Sequence, residues 1–256
     1  MMPLKIGGLV VADAHQFALY CASLPVVTPG AVYVITDPVI FHRITRVLRL
    51  TVGDELTLFS RQQIARVQLS MVGKKDCSVL LLAIAQTQPI MPAITVQLGM
   101  LKRESFEEAL YSCVELGVNT VQPVITQKMH KNWWSAKERE RLERIMIAAA
   151  EQSKNFYLPE LRTPITLTQL FESPQDNSIF FDATGAPLRS VIEQMVDCPE
   201  ITVFIGPEGD LSTAEKEAVR AHGYTVCALT PTILRAQQAL VVAVGALRSF
   251  LPVHTL

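Results

Sequence analysis

Two short segments in the last third of the 256-residue chain, and one near its start, carry residue types that could do chemistry. Gly206-Pro207-Glu208-Gly209-Asp210 follows directly on the β-branched run Ile201 to Ile205. Its glycines let the backbone turn tightly and approach a ligand, because no Cβ stands in the way. Glu208 offers a carboxylate there, either as a base or as a cap on backbone amides. A second candidate strand, Tyr224 to Leu229, leads through Thr230-Pro231-Thr232 to Ile233-Leu234-Arg235. Arg235 puts a permanent cation at a strand–loop–helix junction, where ligand contacts concentrate. An ion pair with Glu208 is the competing, purely structural reading. The third segment is Phe41 to Leu50, with His42, Arg43, Arg46 and Arg49. In a helix, His42, Arg46 and Arg49 at i, i+4 and i+7 share one face. Arginine forks match phosphate oxygens, although a run of charge also suits a merely solvated face.

The elements that position these residues can be read from patterning. Ser212 with Glu215 is a capping-box pair, so a helix over 212–222 starts just after the first loop. An apolar helix is expected over 233–250, with Leu240 to Leu247 apolar nearly all round and therefore buried. Upstream, strands are expected at 95–100, 120–125 and 179–182. Helices are expected from Ser105/Glu108 and Ser135/Glu138 capping boxes and over 187–196. Phe106, Leu110, Cys113 and Val114 form the buried face of the first, which Gly117 ends. Leu142, Ile145, Met146 and Ala149 form the stripe of the second. Strands alternating with helices imply βαβ units and a parallel sheet. Ligands of such sheets sit beyond the carboxyl ends of the strands.

Residues 1–90 read differently. Candidate strands at 31–36, 55–59, 64–72 and 78–85, with a Val-Gly-Asp turn at 52–54 and a short helix over 38–50, suggest a small barrel. Gln86 to Pro92, with two prolines, is the best linker. The expected division is thus a small β-barrel over 1–88 and an α/β domain over 93–256.

Composition narrows the class. With 49% hydrophobic and 18% charged residues the chain can bury a large core. Five scattered cysteines without a CxxC pair fit free thiols in a reducing cytosol, not a disulfide scaffold. No metal is expected, since His15, His130, His222 and His254 share no ligand spacing. No apolar run reaches the roughly 20 residues of a membrane helix. Ile6 to Ala12 after Lys5 imitates a signal peptide but is interrupted by Asp13 and His15. The net charge of −1 hides an asymmetry: residues 1–90 carry a net +3 and residues 91–256 a net −4. A local positive field is what phosphate binding needs. Trp133-Trp134, beside Lys128, His130, Lys131 and Lys137, could stack on bases, but packing of at least one ring in a core or interface is the stronger reading.

Ile-Gly-Pro-Glu-Gly at 205–209, Ser212-x-x-Glu215 and Ile233-Leu234-Arg235 together resemble the 16S ribosomal RNA methyltransferase E family, of the SPOUT class. His42 with Val47-Leu48-Arg49 and Gly53-Asp54, Lys102, Glu115 to Val118, and Glu151-Gln152-Ser153 extend the resemblance from about residue 30 to 250. It implies a PUA-like amino-terminal barrel and a carboxyl-terminal α/β domain tied in a trefoil knot, a rare topology that periodicity alone would not suggest. It implies S-adenosylmethionine as cofactor and methyl transfer to N3 of a uridine in 16S rRNA of the small ribosomal subunit. It also implies a cytoplasmic homodimer packed through helices of the knot domain, with the 233–250 helix as candidate contact.

By resemblance, Phe181, Ile205, Gly206, Pro207, Glu208, Gly209, Leu229, Thr230, Ile233, Leu234 and Gln238 hold the cofactor. Arg235 and Glu208 are the catalytic candidates, and His42, Arg43, Arg46, Arg49, Lys102 and Lys128 the RNA contacts. The chain departs from the family's pattern at Asp210-Leu211, Thr230-Pro231-Thr232 and Ala236-Gln237-Gln238, all in the cofactor loops. Those departures motivate an alternative: a non-catalytic RNA-binding or ribosome-assembly relative that kept the fold and lost donor affinity.

Overall fold

The computed structural model describes residues 4–6, 9–12, 16–24, 28–129, 132–173, 176–252 and 254–255. The chain divides into two compact units, Met1–Gln88 with Ala150–Tyr157, and Pro89–Ala149 with Leu158–Leu256. His15, His130 and Lys131 lie outside the described residues.

In the first unit, β1 (Leu4–Ile6) and β2 (Leu9–Ala12) form a hairpin. The main sheet has five strands, β3 (Ala18–Tyr20), β4 (Val32–Ile35), β5 (Glu55–Phe59), β6 (Gln63–Val72) and β7 (Cys77–Gln86), in the order β3-β5-β6-β7-β4. Leu56, Leu58, Val67, Leu69, Val79 and Leu81 alternate along the strands into one core, which Ile40 and Ile44 complete. Gly53 turns β5 with φ +99, as the Val-Gly-Asp pattern requires. The expected linker is shorter than its prolines suggest, because β7 runs through Gln86.

The basic segment is a short helix, α1 (Pro38–His42), capped by the Asp37 carboxylate and followed by a π-wound turn, Arg43–Val47. The Leu48 amide donates back to the Arg43 carbonyl (2.8 Å), while the Thr45 hydroxyl donates to the Phe41 carbonyl (2.9 Å). Such back-bonding competes with the regular ladder. Arg49 then turns left-handed (φ +54) and leaves the helix. The helix therefore ends before Arg49, so the expected face of His42, Arg46 and Arg49 does not extend to Arg49.

In the second unit, β8 (Ile90–Met91) pairs with β16 (His254–Thr255). The principal sheet holds β9 (Ala93–Gly99), β10 (Thr120–Ile125), β11 (Glu160–Leu161), β12 (Ile165–Thr166), β13 (Ser178–Pro187), β14 (Glu200–Ile205) and β15 (Thr225–Ala228). Its order is β11-β10-β9-β14-β13-β15, with β12 also on β10, and every pairing is parallel. Helices α2 (Arg103–Glu115), α3 (Ala136–Ser153), α4 (Leu167–Leu170), α5 (Leu188–Ile192), α6 (Thr213–Ala221) and α7 (Ala236–Phe250) connect or flank these strands. A mixed α/β fold with a parallel sheet is thus present, and it brings the carboxyl ends of its strands to one edge.

Several helix starts differ from expectation. α2 begins at Arg103, and its first turn has no side-chain cap of its own, so the Ser105/Glu108 box is not used. At α3 the Ser135 hydroxyl does accept the Glu138 amide (3.3 Å), but the Glu138 carboxylate pairs with Arg103 (3.0 Å). α7 begins at Ala236, not Ile233: Ile233 is 92% exposed and Arg235 is the extended N-cap residue. α7 is buried on one face only, through Leu240, Ala243, Val244 and Leu247, whereas Val241, Val242 and Phe250 are exposed. Near its end, Arg248 donates to the carbonyls of Pro92 (2.7 Å), Leu116 (3.2 Å) and Gly117. The last two cap the carboxyl end of α2, where a cation is favoured. Burial pushes the Arg248 guanidinium down to about 10.

Candidate functional site

Two loops leave neighbouring parts of the same sheet edge. One follows Ile205 at the end of β14, the other follows Ala228 at the end of β15. β13 lies between those strands, so the loop bases stand two strand spacings apart, roughly 10 Å. Phe181 and Ile205 are register partners, and Phe181 also pairs with Cys227. The strand bulges at 182–185, and Ala186 returns to the same Cys227 partner. Gly185 makes this return possible, since a Cβ there would sit 2.6 Å from the Cys227 Cα.

The first loop is set by packing from both sides. A Cβ on Gly99, at the end of β9, would meet the Pro207 nitrogen at 2.6 Å, so only glycine lets the two strand ends approach. A Cβ on Gly209 would lie 3.0 Å from the Lys128 carbonyl, and the Lys128 ammonium donates to the Leu211 carbonyl (3.2 Å). Gly206, by contrast, has only the Leu211 side chain within 4 Å of a notional Cβ, at 3.9 Å. Pro207 and Leu211 are buried while Glu208, Gly209 and Asp210 are exposed.

Glu208 accepts the Lys102 backbone amide with both oxygens (3.1 and 3.3 Å). It supplies the negative charge that the uncapped start of α2 lacks. That favours the capping role over the role of base. Among the described residues Arg235 makes no ion pair with Glu208 or any other carboxylate; it is exposed at the start of α7. The structural alternative for Arg235 is therefore not what the fold uses.

The two departures that most threatened the loops turn their side chains aside. Asp210 adopts φ +60 and directs its carboxylate to the Leu211 amide (2.7 Å) and the Lys216 ammonium (2.7 Å). The Thr230 hydroxyl donates to the Thr232 carbonyl (2.7 Å), inside its own loop. The backbone amides of Glu208, Gly209, Ile233 and Leu234 have no hydrogen-bond partner among the described residues. Successive free amides in a turn are the arrangement that receives ligand oxygens and ring nitrogens. The loops therefore fit a nucleotide-like cofactor held by backbone rather than side chains. Gln238 stands exposed in the first turn of α7, and its neighbour Gln237 has a buried Oε1 without a partner among the described residues.

The capping box at α6 forms as the pattern requires. The Ser212 hydroxyl accepts the Glu215 amide (3.3 Å) and the Glu215 carboxylate accepts the Ser212 amide (2.8 Å). Sequence reasoning missed that Glu215 also takes the Gln127 amide (2.7 Å), and that Lys216 joins Asp182 to Asp210 (2.7 Å each). The Asp182 partner had no local signal, because 34 residues of chain separate it from Lys216.

The proposed RNA contacts are more scattered in role. Arg43 is bound to Glu151 by two parallel bonds of 2.7 Å, and Glu151 also accepts the Tyr20 amide (2.9 Å). That hydrogen bonding raises the Arg43 guanidinium above its usual value. His42, Arg46 and Arg49 are exposed, as is Lys102. Trp133 donates to the Leu101 carbonyl (2.8 Å) and packs edge-on to Phe106, so that ring is held in the fold. His222 stacks on Phe171, with its Nδ1 at 2.7 Å from the Ala218 carbonyl. Among the described residues no cluster of three or more His, Cys, Asp or Glu side chains could hold a metal ion, and no helix is long and apolar enough to cross a membrane.

Comparison with known proteins gives this geometry a family. Residues 88–248 match the family model of the RNA methyltransferase domain. The ribosomal RNA small subunit methyltransferase E of Synechocystis is 29% identical over 82% of this chain and 71% of its own. That of Mycobacterium bovis is 26% identical over 89% of each. A methyltransferase structure from Legionella pneumophila, solved with its cofactor SAM, superposes with a TM-score of 0.79 at 26% identity, covering 92% of this chain and 98% of that one. The small subunit methyltransferase E of Neisseria gonorrhoeae, at 22% identity over 93% and 98%, shares the fold with the same TM-score. The chain belongs to the RNA methyltransferase domain family.

Proposed function

We propose that this chain is an S-adenosylmethionine-dependent methyltransferase that modifies N3 of a uridine in 16S rRNA of the small ribosomal subunit. The observation that carries the reading is the pair of strand-end loops with unpaired backbone amides at 208–209 and 233–234, beside a free, exposed Arg235. Gly206, Glu208, Gly209, Leu229, Thr230, Ile233 and Leu234 would hold the cofactor by backbone groups, with Phe181, Ile205, Pro207 and Gln238 lining the loop bases. When bound, the cofactor supplies a sulfonium-activated methyl group, and no metal is needed to activate it. Transfer of that methyl group to uridine N3 would require N3 to give up its proton, which would pass to solvent in the exposed site. Arg235 lowers the cost of that loss by stabilising negative charge on the uracil ring, as preorganised cations do. Glu208 keeps the loop in shape through the Lys102 amide. Holding donor and acceptor in line supplies the rest.

The five-stranded sheet of the first unit, with exposed His42, Arg46 and Arg49, is read as a PUA-like barrel that contacts RNA phosphates over 1–88; Lys102 and Lys128 add contacts from the 93–256 domain. The strand order, with β14 inserted between β9 and β13, is compatible with a SPOUT trefoil knot. The exposed Val241, Val242 and Phe250 on α7 support a homodimer contact through that domain. A cytoplasmic location follows from the substrate.

Nucleoside mass spectrometry of 16S rRNA from cells with and without the gene tests the reading. Loss of one N3-methyluridine on deletion, restored by the wild-type gene, is the expected result. An unchanged nucleoside profile, with the protein still bound to small subunits, would favour the non-catalytic relative instead.

A further inference from the structure

The first turn of α6 touches three strand-end loops at once. Glu215, buried, fixes the Gln127 amide in the loop after β10. Lys216, the next residue, places its ammonium 2.7 Å from Asp182 Oδ2 in the bulge of β13 and 2.7 Å from Asp210 Oδ2 in the loop after β14. The Asp182 side chain is 6% exposed and that of Lys216 22%, so this arm of the bridge is shielded from solvent, whereas Asp210, 59% exposed, closes it at the surface. The other oxygen of Asp182 accepts the Thr184 amide (2.8 Å) and hydroxyl, and Arg220 donates to that hydroxyl (3.2 Å). Every group around Asp182 thus holds it in one orientation.

Asp210 shows that the bridge is built rather than incidental. Its φ of +60 is the left-handed region that favours glycine. Aspartate tolerates that region better than most residues but at some cost. The carboxylate is what glycine could not offer, and it closes the bridge to Lys216. The β13 bulge and the loop that carries the proposed cofactor amides are thereby fixed to each other through one side chain that lies on a helix.

We propose that Lys216 is a positioning residue of the cofactor site: it holds the β13 bulge and the β14 loop in the single arrangement in which the amides of Glu208 and Gly209 can receive the donor. The proposal rests on the methyltransferase reading above. Without the bridge, the loops sample arrangements that cannot bind, and apparent affinity falls by the fraction of competent molecules.

The test compares wild type with Lys216→Met and Lys216→Arg, measuring S-adenosylmethionine binding by calorimetry and methyl transfer to isolated small subunits. Lys216→Met is expected to raise the Kd and KM for the donor about tenfold, with kcat at saturating donor and KM for the subunit within about twofold. Lys216→Arg, which keeps the charge, is expected to recover most of the loss. Donor affinity of a folded Lys216→Met within twofold of wild type overturns the proposal, as does a loss spread equally over kcat and both KM values. If Lys216→Met does not fold, Asp210→Asn decides, since it keeps the left-handed tolerance and removes the charge. A donor Kd raised about threefold supports the bridge, and an unchanged Kd overturns it. Wild-type protein that binds no donor would sink the methyltransferase reading first, whereas wild-type binding with indifferent variants sinks only the role of Lys216.

Discussion

The loops at 206–211 and 229–235 and the basic segment at 38–50 are alike on paper. Each is short, polar, next to a helix start, and marked by residues suited to phosphates or charge. They differ in what fixes them. The 206–211 loop takes its shape from contacts distant in sequence, Gly99 against Pro207, Lys102 against Glu208, Lys128 against Gly209 and Leu211, while the 229–235 loop is closed locally by Thr230 on Thr232. The basic segment is pinned at Arg43 by Glu151, but the winding that follows is local: a π turn with a back-bonded Thr45 leads to the left-handed Arg49. A pattern that depends on ideal helical spacing is fragile, whereas one enforced by neighbouring backbones is not.

The largest effect should come from Arg235, which the loops leave free. Arg235→Ala is expected to lower kcat by about 100-fold or more, the loss usual for a preorganised charge at the reacting group. Donor Kd should stay within threefold, because backbone amides bind the donor. A fall in donor affinity with little change in kcat would move Arg235 from chemistry to cofactor binding.

Next is Gly185→Ala. The added methyl would land on the Cys227 backbone, which cannot yield as a flexible side chain can. A loss of about 2 kcal/mol of stability is expected from such overpacking, measured by denaturant titration. The same change at Gly223, which has nothing within 4 Å of a notional Cβ, meets only the strain of φ +87 and should cost less. Equal losses at both would mean that the close approach at Gly185 costs no more than the left-handed strain at Gly223.

Much of this contrast was legible in the residues. The alternation of strands and helices from Ala93 onward, the Ser212/Glu215 box and the tight loop after Ile205 all carry local signals, and the structure shows each. What was not legible depended on partners far along the chain. Ser105 and Glu108 have the spacing of a capping box, but Glu208 already serves the start of α2, about one hundred residues away. Ile233 and Leu234 are apolar and read as helix, yet they form the exposed loop before it. Residues 150–157 join the first unit through Glu151 and Phe156, which packs on Phe59, and neither has a sequence signal for that role. The short strands β11 and β12 are two residues each, too brief for any period to show.

The Lys216 bridge has its own signature in acid. Burial alone would raise the Asp182 carboxyl, but the Lys216 and Thr184 hydrogen bonds outweigh it and hold the group down to about 2. A carboxyl depressed on folding stabilises the native state above its ordinary value near 4 and loses that contribution as pH falls through about 2. The contribution at neutral pH is about 2 kcal/mol. Denaturant titrations of wild type and Lys216→Met should therefore differ most above pH 4 and converge as the pH approaches 2. A gap that does not change with pH would show that Asp182 is not the partner that matters.

The smallest effects belong to the basic segment, and they separate two arginines three residues apart. Arg43 is engaged by Glu151, so Arg43→Ala is expected to cost about 1 kcal/mol of stability, a charge-assisted pair discounted for its partial exposure. Arg46 is exposed and makes no ion pair among the described residues, so Arg46→Ala should leave stability within about 0.5 kcal/mol of wild type. If Arg46 contacts a phosphate, its loss lowers the slope of log affinity against log salt for small subunits by about 1. Arg43→Ala should not change that slope, because its guanidinium is already spoken for. The opposite pattern, with Arg43 carrying the salt dependence and Arg46 none, would mean that RNA displaces Glu151 and that the pair is a latch rather than a brace.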